Sequence, residues 1–253
     1  MVAKHNIALI GAGLIGQRHT AYIREVAHLS AIVDPSQPGQ AFAKEQNVPW
    51  FKDLEALFAD HRPDGIIHAT PNALHVPLAL QCVEQGLPCL IEKPIAGESE
   101  EAQRLVRFAK EKQVPLLVGH HRRHNALIAT TKAEIDAGTL GDIVSVQAQF
   151  WLYKPNNYFD MDWRTKTGAG PMFINLIHDL DLLRHFCGAV AEVQAMETHE
   201  QRGFEVEDSI VVLLRFASGT LGTVTVSDTI VAPWSWELSS GENTAYDHVK
   251  THA

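Results

Sequence analysis

The stretch that decides the fold runs from Asn6 to Gly16, "NIALIGAGLIG". An apolar, β-rich run passes directly into Gly11, Gly13 and Gly16, which stand in G-x-G-x-x-G spacing, and a helical pattern starts at once. Such a triplet says little in isolation. Between a strand and a helix, however, it makes a turn whose backbone can approach a pyrophosphate and whose helix N-terminus attracts the anion. The next apolar run, "LSAIVD" (29 to 34), ends in Asp34, eighteen residues past Gly16. A carboxylate there accepts from the ribose hydroxyls of a dinucleotide and repels a 2'-phosphate, and Pro35-Ser36-Gln37 bring no arginine to reverse that preference. The expectation is an NAD site rather than an NADP site, with Gly11, Gly13, Leu14, Ile15, Gly16 and Asp34 as contacts.

Outward from this stretch, short apolar runs alternate with helical patterns. "GIIHAT" (65 to 70), "PCLIEK" (88 to 93) and "VPLLVG" (114 to 119) are continuously apolar, as in strands covered on both faces by helices. Helices are predicted at 14 to 28, 37 to 46, 53 to 60, 73 to 85 and 99 to 112. The last begins with acids and ends with Lys110 and Lys112, matching its dipole. After about residue 122 the rhythm changes. A helix at 125 to 137 precedes "DIVSVQAQFWL" (142 to 152), which alternates as a strand with one buried face should. A further helix at 171 to 187 and strands at 190 to 198, 207 to 216 and 219 to 228 follow. The prediction is an α/β chain, with a dinucleotide-binding Rossmann domain over residues 1–122. An α+β domain with an open, mostly antiparallel sheet follows over 123–253.

Composition narrows the classes. The apolar fraction of 45%, the charged fraction of 20% and the net charge of -9 describe a globular chain with no affinity for phosphate backbones. No apolar run reaches the roughly 20 residues of a membrane span, and the N-terminus lacks the pattern of a secretory signal, so a cytoplasmic location is expected. Cys82, Cys89 and Cys187 form no C-x-x-C and are read as reduced core thiols.

In an open α/β sheet the ligand lies beyond the carboxyl ends of the strands. Thr70, Pro71 and Asn72, with His75 one turn on, therefore become candidate cofactor contacts; the competing reading makes Pro71-Asn72 a turn and Asn72 a helix cap. "LIEKP" (90 to 94) sits on the same edge. If the strand stays regular, Glu92 and Lys93 project to opposite faces, with Lys93 toward the cofactor and Pro94 ending the ladder. From spacing alone, a solvated strand-end lysine is the rival.

Four features in order, "GAGLIG" with Asp34, "ATPNALH", "EKP", and "GAGPMFINLIHDLDLLRHFCG" after "DWR", resemble the Gfo/Idh/MocA oxidoreductases, which include glucose-fructose oxidoreductase and inositol dehydrogenase. The resemblance covers nearly the whole chain. It implies hydride transfer between a nicotinamide and a carbinol carbon of a sugar, polyol or related small molecule. It implies oligomerisation through the second-domain sheet, and it matches Lys93 and His178 to two residues that relatives place near the reacting hydroxyl. Lysine titrates about four pH units above histidine, so His178 is expected as the proton acceptor and Lys93 as the group polarising the oxygen, with exchanged roles as the alternative.

Around His178, Asn175 is a candidate for a substrate hydroxyl and Asp181 for orienting the imidazole; the alternative pairs Asp179 and Asp181 with Arg184 and His185. Many relatives carry an aspartate where this chain has Ile174, so an inositol-type substrate does not carry over. Arg123 and Arg164 are candidate substrate contacts, or surface charges; Ala126 replaces a proline of the family pattern. His120, His121 and His124 with His178 and Asp179 fit no zinc spacing, and no metal is expected. Two other functions stay open: a non-catalytic dinucleotide sensor and an NAD-dependent glycosidase. Relatives continue with further strands beyond the polar tail "SWELSSGENTAYDHVKTHA", so a shortened second domain is expected.

Overall fold

The computed structural model describes residues 4–242, and the part of the polar tail from 243 onward lies outside them. The chain divides between His120 and His121 into two compact units.

Unit 1 is a six-stranded parallel sheet. Its strands are β1 (Asn6–Ile10), β2 (His28–Val33), β3 (Trp50–Phe51), β4 (Gly65–His68), β5 (Cys89–Ile91) and β6 (Leu116–Val118), in the order β3-β2-β1-β4-β5-β6. The helices between them are α1 (Leu14–Val26), α2 (Gln37–Glu45), α3 (Leu54–Asp60), α4 (His75–Glu84) and α5 (Ser99–Lys112). Successive side chains of a strand face opposite ways. Accordingly Ala8, Ile10, Ala31 and Val33 pack with Val76, Ala79 and Leu105 of α4 and α5, while Leu9 and Ile32 pack with Ile23 and Ala43 of α1 and α2, joined by Leu29, which a register shift between β1 and β2 brings to that side. Both faces are covered, which is why these strands read as unbroken apolar runs. β3 has only two residues and leaves no period to detect.

The order reverses between β1 and β4, so the sheet's switch point lies at the carboxyl ends of β1 and β4. The glycine turn follows β1, and Thr70 follows β4.

Unit 2 contains α6 (Ala126–Asp136), β7 (Ser145–Trp151), α7 (Ile177–Cys187), β8 (Val190–Thr198), β9 (Ser209–Phe216), β10 (Leu221–Ser227) and the short α8 (Trp236–Ser239). Its sheet has the order β7-β10-β9-β8 and is mixed: β8–β9 and β9–β10 are antiparallel, but β7 joins β10 in parallel. One face of β9 and β10 (Ile210, Val212, Leu214, Val224, Val226) packs with Leu176 and Leu183 of the α7 segment. The other face leaves Val211, Leu213 and Leu221 exposed, and β8 is exposed along its length, with Met196 at 82%.

Candidate functional site

In unit 1 the three glycines do three different things. Gly11 has φ +87°, and a Cβ on it would lie 2.5 Å from the Ala69 carbonyl oxygen, where β1 and β4 leave the sheet. Gly16 packs so closely that a Cβ would fall 1.9 Å from the Gly11 oxygen. A Cβ at Gly13 would meet nothing within 4 Å. The N-terminus of α1 has no side-chain cap and no acid in its first turn, and Leu14 and Ile15 beside it are exposed. Its first N–H groups thus face open space with a favourable dipole, which fits a pyrophosphate.

Asp34 closes this turn from β2. Its Oδ2 accepts from the Ala12 N–H (2.8 Å), and its Oδ1 accepts from the Ser36 N–H (2.8 Å) and the Ser36 hydroxyl (2.5 Å). Partial burial opposes ionisation, yet the bonds from the Ser36 hydroxyl, Ala12 and Ser36 N–H outweigh it and hold the carboxyl below its ordinary range. Ser36 in turn caps α2. The acid is therefore ionised and oriented, as recognition of a ribose diol requires.

Behind Thr70, His75 is fully buried, with Nδ1 2.8 Å from the Pro94 carbonyl and Nε2 2.9 Å from the Thr70 carbonyl. It was expected as a cofactor contact; its place is beneath the surface, joining the turn after β4 to the turn after β5. Burial keeps its pKa below the ordinary imidazole value, against the pull of those two carbonyls. Asn72 is exposed and opens a short 3-10 turn without capping α4. The Thr70 hydroxyl is shielded from solvent and makes no hydrogen bond among the described residues.

The strand-parity argument for Glu92 and Lys93 does not apply, because β5 stops at Ile91. Glu92 instead curls back: Oε1 lies 2.8 Å from His19 Nε2 of α1, and Oε2 accepts from the Lys93 N–H at 3.2 Å. Gly119 leaves room for it, since a Cβ there would come within 3.2 Å of the carboxylate. Burial opposes ionisation of Glu92, but the His19 contact and the Lys93 N–H prevail and lower its pKa. His19 was invisible in the sequence, having no motif of its own. Lys93 follows, half-buried, with its peptide to Pro94 cis.

Unit 2 carries the other candidates. Residues Met172–Leu176 form a π-helical turn that runs into α7, and Asn175, His178, Asp181 and Leu182 are all buried. The His178 and His121 rings meet edge to face at 5.0 Å. The Asn175 amide oxygen is buried without a hydrogen bond among the described residues. The acids of α7 bond to arginines outside the helix, while Asp181 also acts on the His185 charge. Arg123 grips Asp181 with two bonds of 2.6 and 2.5 Å, and fully buried Arg122 reaches Asp179 (3.2 Å) and Glu237 (3.3 Å) while lying over the Trp236 ring at 4.8 Å. Burial raises the Asp179 pKa to about 6, with Arg122 opposing and Glu237 assisting.

Arg164 lies over Tyr158 at 4.1 Å and donates to its carbonyl at 2.6 Å. Nearby, Lys154, Arg202 and Asp228 form a buried charged group that the sequence did not announce. Arg202 donates to Asp228 (2.7 Å) and to the Lys154 carbonyl (2.8 Å), and burial lowers the Lys154 pKa to about 8.

Residues 5–120 match the family model described as "Oxidoreductase family, NAD-binding Rossmann fold", and residues 128–242 match "GFO/IDH/MocA C-terminal domain". Among curated relatives, levoglucosan dehydrogenase of Pseudarthrobacter phenanthrenivorans is 25% identical over 87% of this chain and 66% of its own length. The NADP-dependent scyllo-inositol 2-dehydrogenase of Bacillus subtilis is 30% identical over 71% of this chain and 49% of its own length. The structure of the WlbA dehydrogenase from Bordetella pertussis, in complex with NADH and UDP-GlcNAcA, aligns with a TM-score of 0.84 at 29% identity, covering 91% of this chain and 68% of that one. The chain thus spans under two thirds of the length of both curated relatives.

Proposed function

We propose, because the chain belongs to the Gfo/Idh/MocA oxidoreductase family, that it transfers a hydride between a nicotinamide and a carbinol carbon of a sugar, polyol or related hydroxylated molecule. The observation that carries this reading is the paired recognition surface of unit 1. An uncapped helix N-terminus beside Gly13 suits a pyrophosphate, and the ionised Asp34 carboxylate beside it suits a ribose diol. NAD, when bound, supplies the hydride acceptor. Asp34, with no arginine following, favours NAD over NADP.

The chain's own residues would do the rest. Removing a hydroxyl proton calls for a base that titrates near the working pH, so His178 is proposed as the acceptor and Lys93 as the donor that polarises the reacting oxygen. The Asn175 amide oxygen is the proposed acceptor for a substrate hydroxyl. Asp181, with both oxygens engaged by Arg123, holds α7 to the turn at 121–124 rather than meeting substrate. Relatives that act on sugars and cyclitols support the substrate class. The bare apolar face of the unit 2 sheet supports a homo-oligomer, and three free cysteines suit a cytoplasmic setting. Among the described residues no helix is long and apolar enough to cross a membrane.

A screen for NADH formation over sugars, polyols, hydroxy acids and nucleotide sugars tests the reading. Lys93→Met and His178→Asn serve as controls, and NADH binding is measured alongside. Turnover that both substitutions lower by about 100-fold or more supports it, in keeping with the worth of a general acid or base. Binding of NADH without turnover on any substrate would favour the sensor instead.

A further inference from the structure

Unit 1 buries two histidines, and they are treated differently. Both ring nitrogens of His75 face backbone carbonyls, whereas those of His68, at the end of β4 and 0% exposed, find no oxygen or nitrogen partner among the described residues and have the Cys89 thiol as their polar neighbour. A thiol is a weak hydrogen-bonding partner and offsets the burial of an imidazole poorly. What surrounds His68 is sulfur. Cys82 on α4 and Cys89 at the start of β5 are also buried, at 0% and 1% exposure, and the three potential ligand atoms lie within 4.8 Å of one another.

We propose that His68, Cys82 and Cys89 form a binding site for one soft, thiophilic metal ion, of the Zn2+ or Cu+ type, enclosed in the core of unit 1. Thiolates and imidazole select such ions over Mg2+ or Ca2+, which require oxygen. Ligands at about 2.3 Å (sulfur) and 2.0–2.1 Å (nitrogen) from one ion stand about 4 Å apart or closer, so inward movements of less than about an ångström bring the set to bonding distance. The spacing escapes a sequence search because the topology assembles it. β4 and β5 are parallel neighbours, with Ile66 opposite Cys89, and α4 is the helix that connects them.

Charge favours the site as well. Two thiolates neutralise a divalent ion, and neutral His68 adds nothing, so the core gains no net charge with Zn2+ and a single negative charge with Cu+. On binding, two S–H bonds ionise and both protons pass to solvent; the Cys89 thiol gives up its 3.3 Å donation to the Leu87 carbonyl. Because all three ligands are enclosed, the ion is acquired as the chain folds and leaves slowly afterwards. It ties β4, α4 and β5 together directly behind the turns that carry Thr70 and Lys93. The site stands independently of the hydride-transfer reading.

The test uses the full chain, unfolded with chelator and reductant and refolded with Zn2+, with Cu+ or with neither. Bound metal is measured after gel filtration, and Co2+ serves as the spectroscopic probe. One equivalent per chain is expected, with thiolate-to-cobalt charge transfer, release of protons and slow loss to chelator in the folded protein. Cys187→Ser retains all of this. Cys82→Ser and Cys89→Ser lower affinity by more than about 100-fold, beyond the cost of losing a merely supporting partner. Should those two variants not refold, Cys187→Ser decides alone, since the pair is then its whole cysteine complement. The proposal is overturned if Cys187→Ser takes up no metal, if it binds without the thiolate band, or if the Cys82 and Cys89 variants bind as well as wild type.

Discussion

Replacing Asp34 with Asn is the substitution whose outcome the structure constrains most fully. The carboxylate accepts three hydrogen bonds within unit 1, from the Ala12 N–H, the Ser36 N–H and the Ser36 hydroxyl. An amide has one oxygen to offer, and its NH2 group meets a donor on the other side. Ser36 is exposed and turns to water, but Ala12 is only 7% exposed, so its N–H is the one left wanting. The expected loss of stability is the desolvation cost of that single group, about 1–3 kcal/mol. For a chain of this size each kcal/mol lowers Tm by about 2–4 °C. Binding changes separately. A hydrogen bond to a charged acceptor contributes about 1.5–3 kcal/mol, so NADH affinity should fall about 10- to 150-fold. NADPH, no longer repelled, should lose less. Titration of wild type and variant with both nucleotides, beside thermal unfolding without nucleotide, reads both effects. If the ratio of the two affinities stays at its wild-type value while Tm falls, Asp34 is only a brace for the glycine turn and its recognition role is refuted.

The second and third glycines of the turn should separate binding from folding. Gly13→Ala folds within about 1 kcal/mol of wild type, since its Cβ has space, but lowers NADH affinity at least about tenfold, whereas Gly16→Ala, with a Cβ 1.9 Å from a backbone oxygen, fails to fold stably. His19→Ala removes the partner 2.8 Å from the half-buried Glu92 carboxylate and should cost about 1–3 kcal/mol in denaturant unfolding; a change under about 0.5 kcal/mol would show that the contact is incidental. Asp179 is raised from 3.8 to about 6 chiefly by burial, so the folded state holds its proton more tightly than the unfolded one. Its contribution is present below pH 3.8, diminishes as pH rises through about 6, and amounts to about 2–3 kcal/mol; Asp179→Asn should remove that slope from a stability-pH profile. Lys154→Met exchanges a buried cation for an apolar side chain of similar length while Arg202 still holds Asp228. Stability near neutral pH should be unchanged or higher, and a loss above about 3 kcal/mol would show that the ion pair at 3.8 Å outweighs the burial penalty.

Much of the architecture was legible because it rests on periods and punctuation. Strands buried on both faces appear as unbroken apolar runs, the acids and lysines of α5 mark its two ends, and the glycines announce the turn after β1. What stayed hidden depends on contacts between distant residues. The partnership of Arg122 and Arg123 with Asp179 and Asp181 spans more than fifty positions, while local spacing suggested Arg184 and His185. The His19–Glu92 contact spans seventy-three. Cys82 and Cys89 looked inert because no C-x-x-C joins them, and only the placement of β4 beside β5 brings His68 to the same spot.

The motif residues of unit 1 divide in a way that spacing could not reveal. Asp34 binds the Ala12 N–H, His75 lies between the Thr70 and Pro94 carbonyls, and Glu92 binds the Lys93 N–H. Each is a polar side chain whose partners include the backbone of a turn at the carboxyl edge of the sheet. Turns lack the ladder that fixes strands, and an exposed turn would otherwise sample many conformations at a cost of about 1–2 kcal/mol for each residue ordered by a ligand. Tying the turns in advance moves that cost from binding to folding. A motif such as "ATPNALH" or "EKP" therefore encodes its own scaffolding along with its contacts. Within it the N–H groups beside Gly13 and exposed Asn72 face outward and are the ones to test against a ligand, while His75 and Glu92 should reveal themselves through stability first and affinity second.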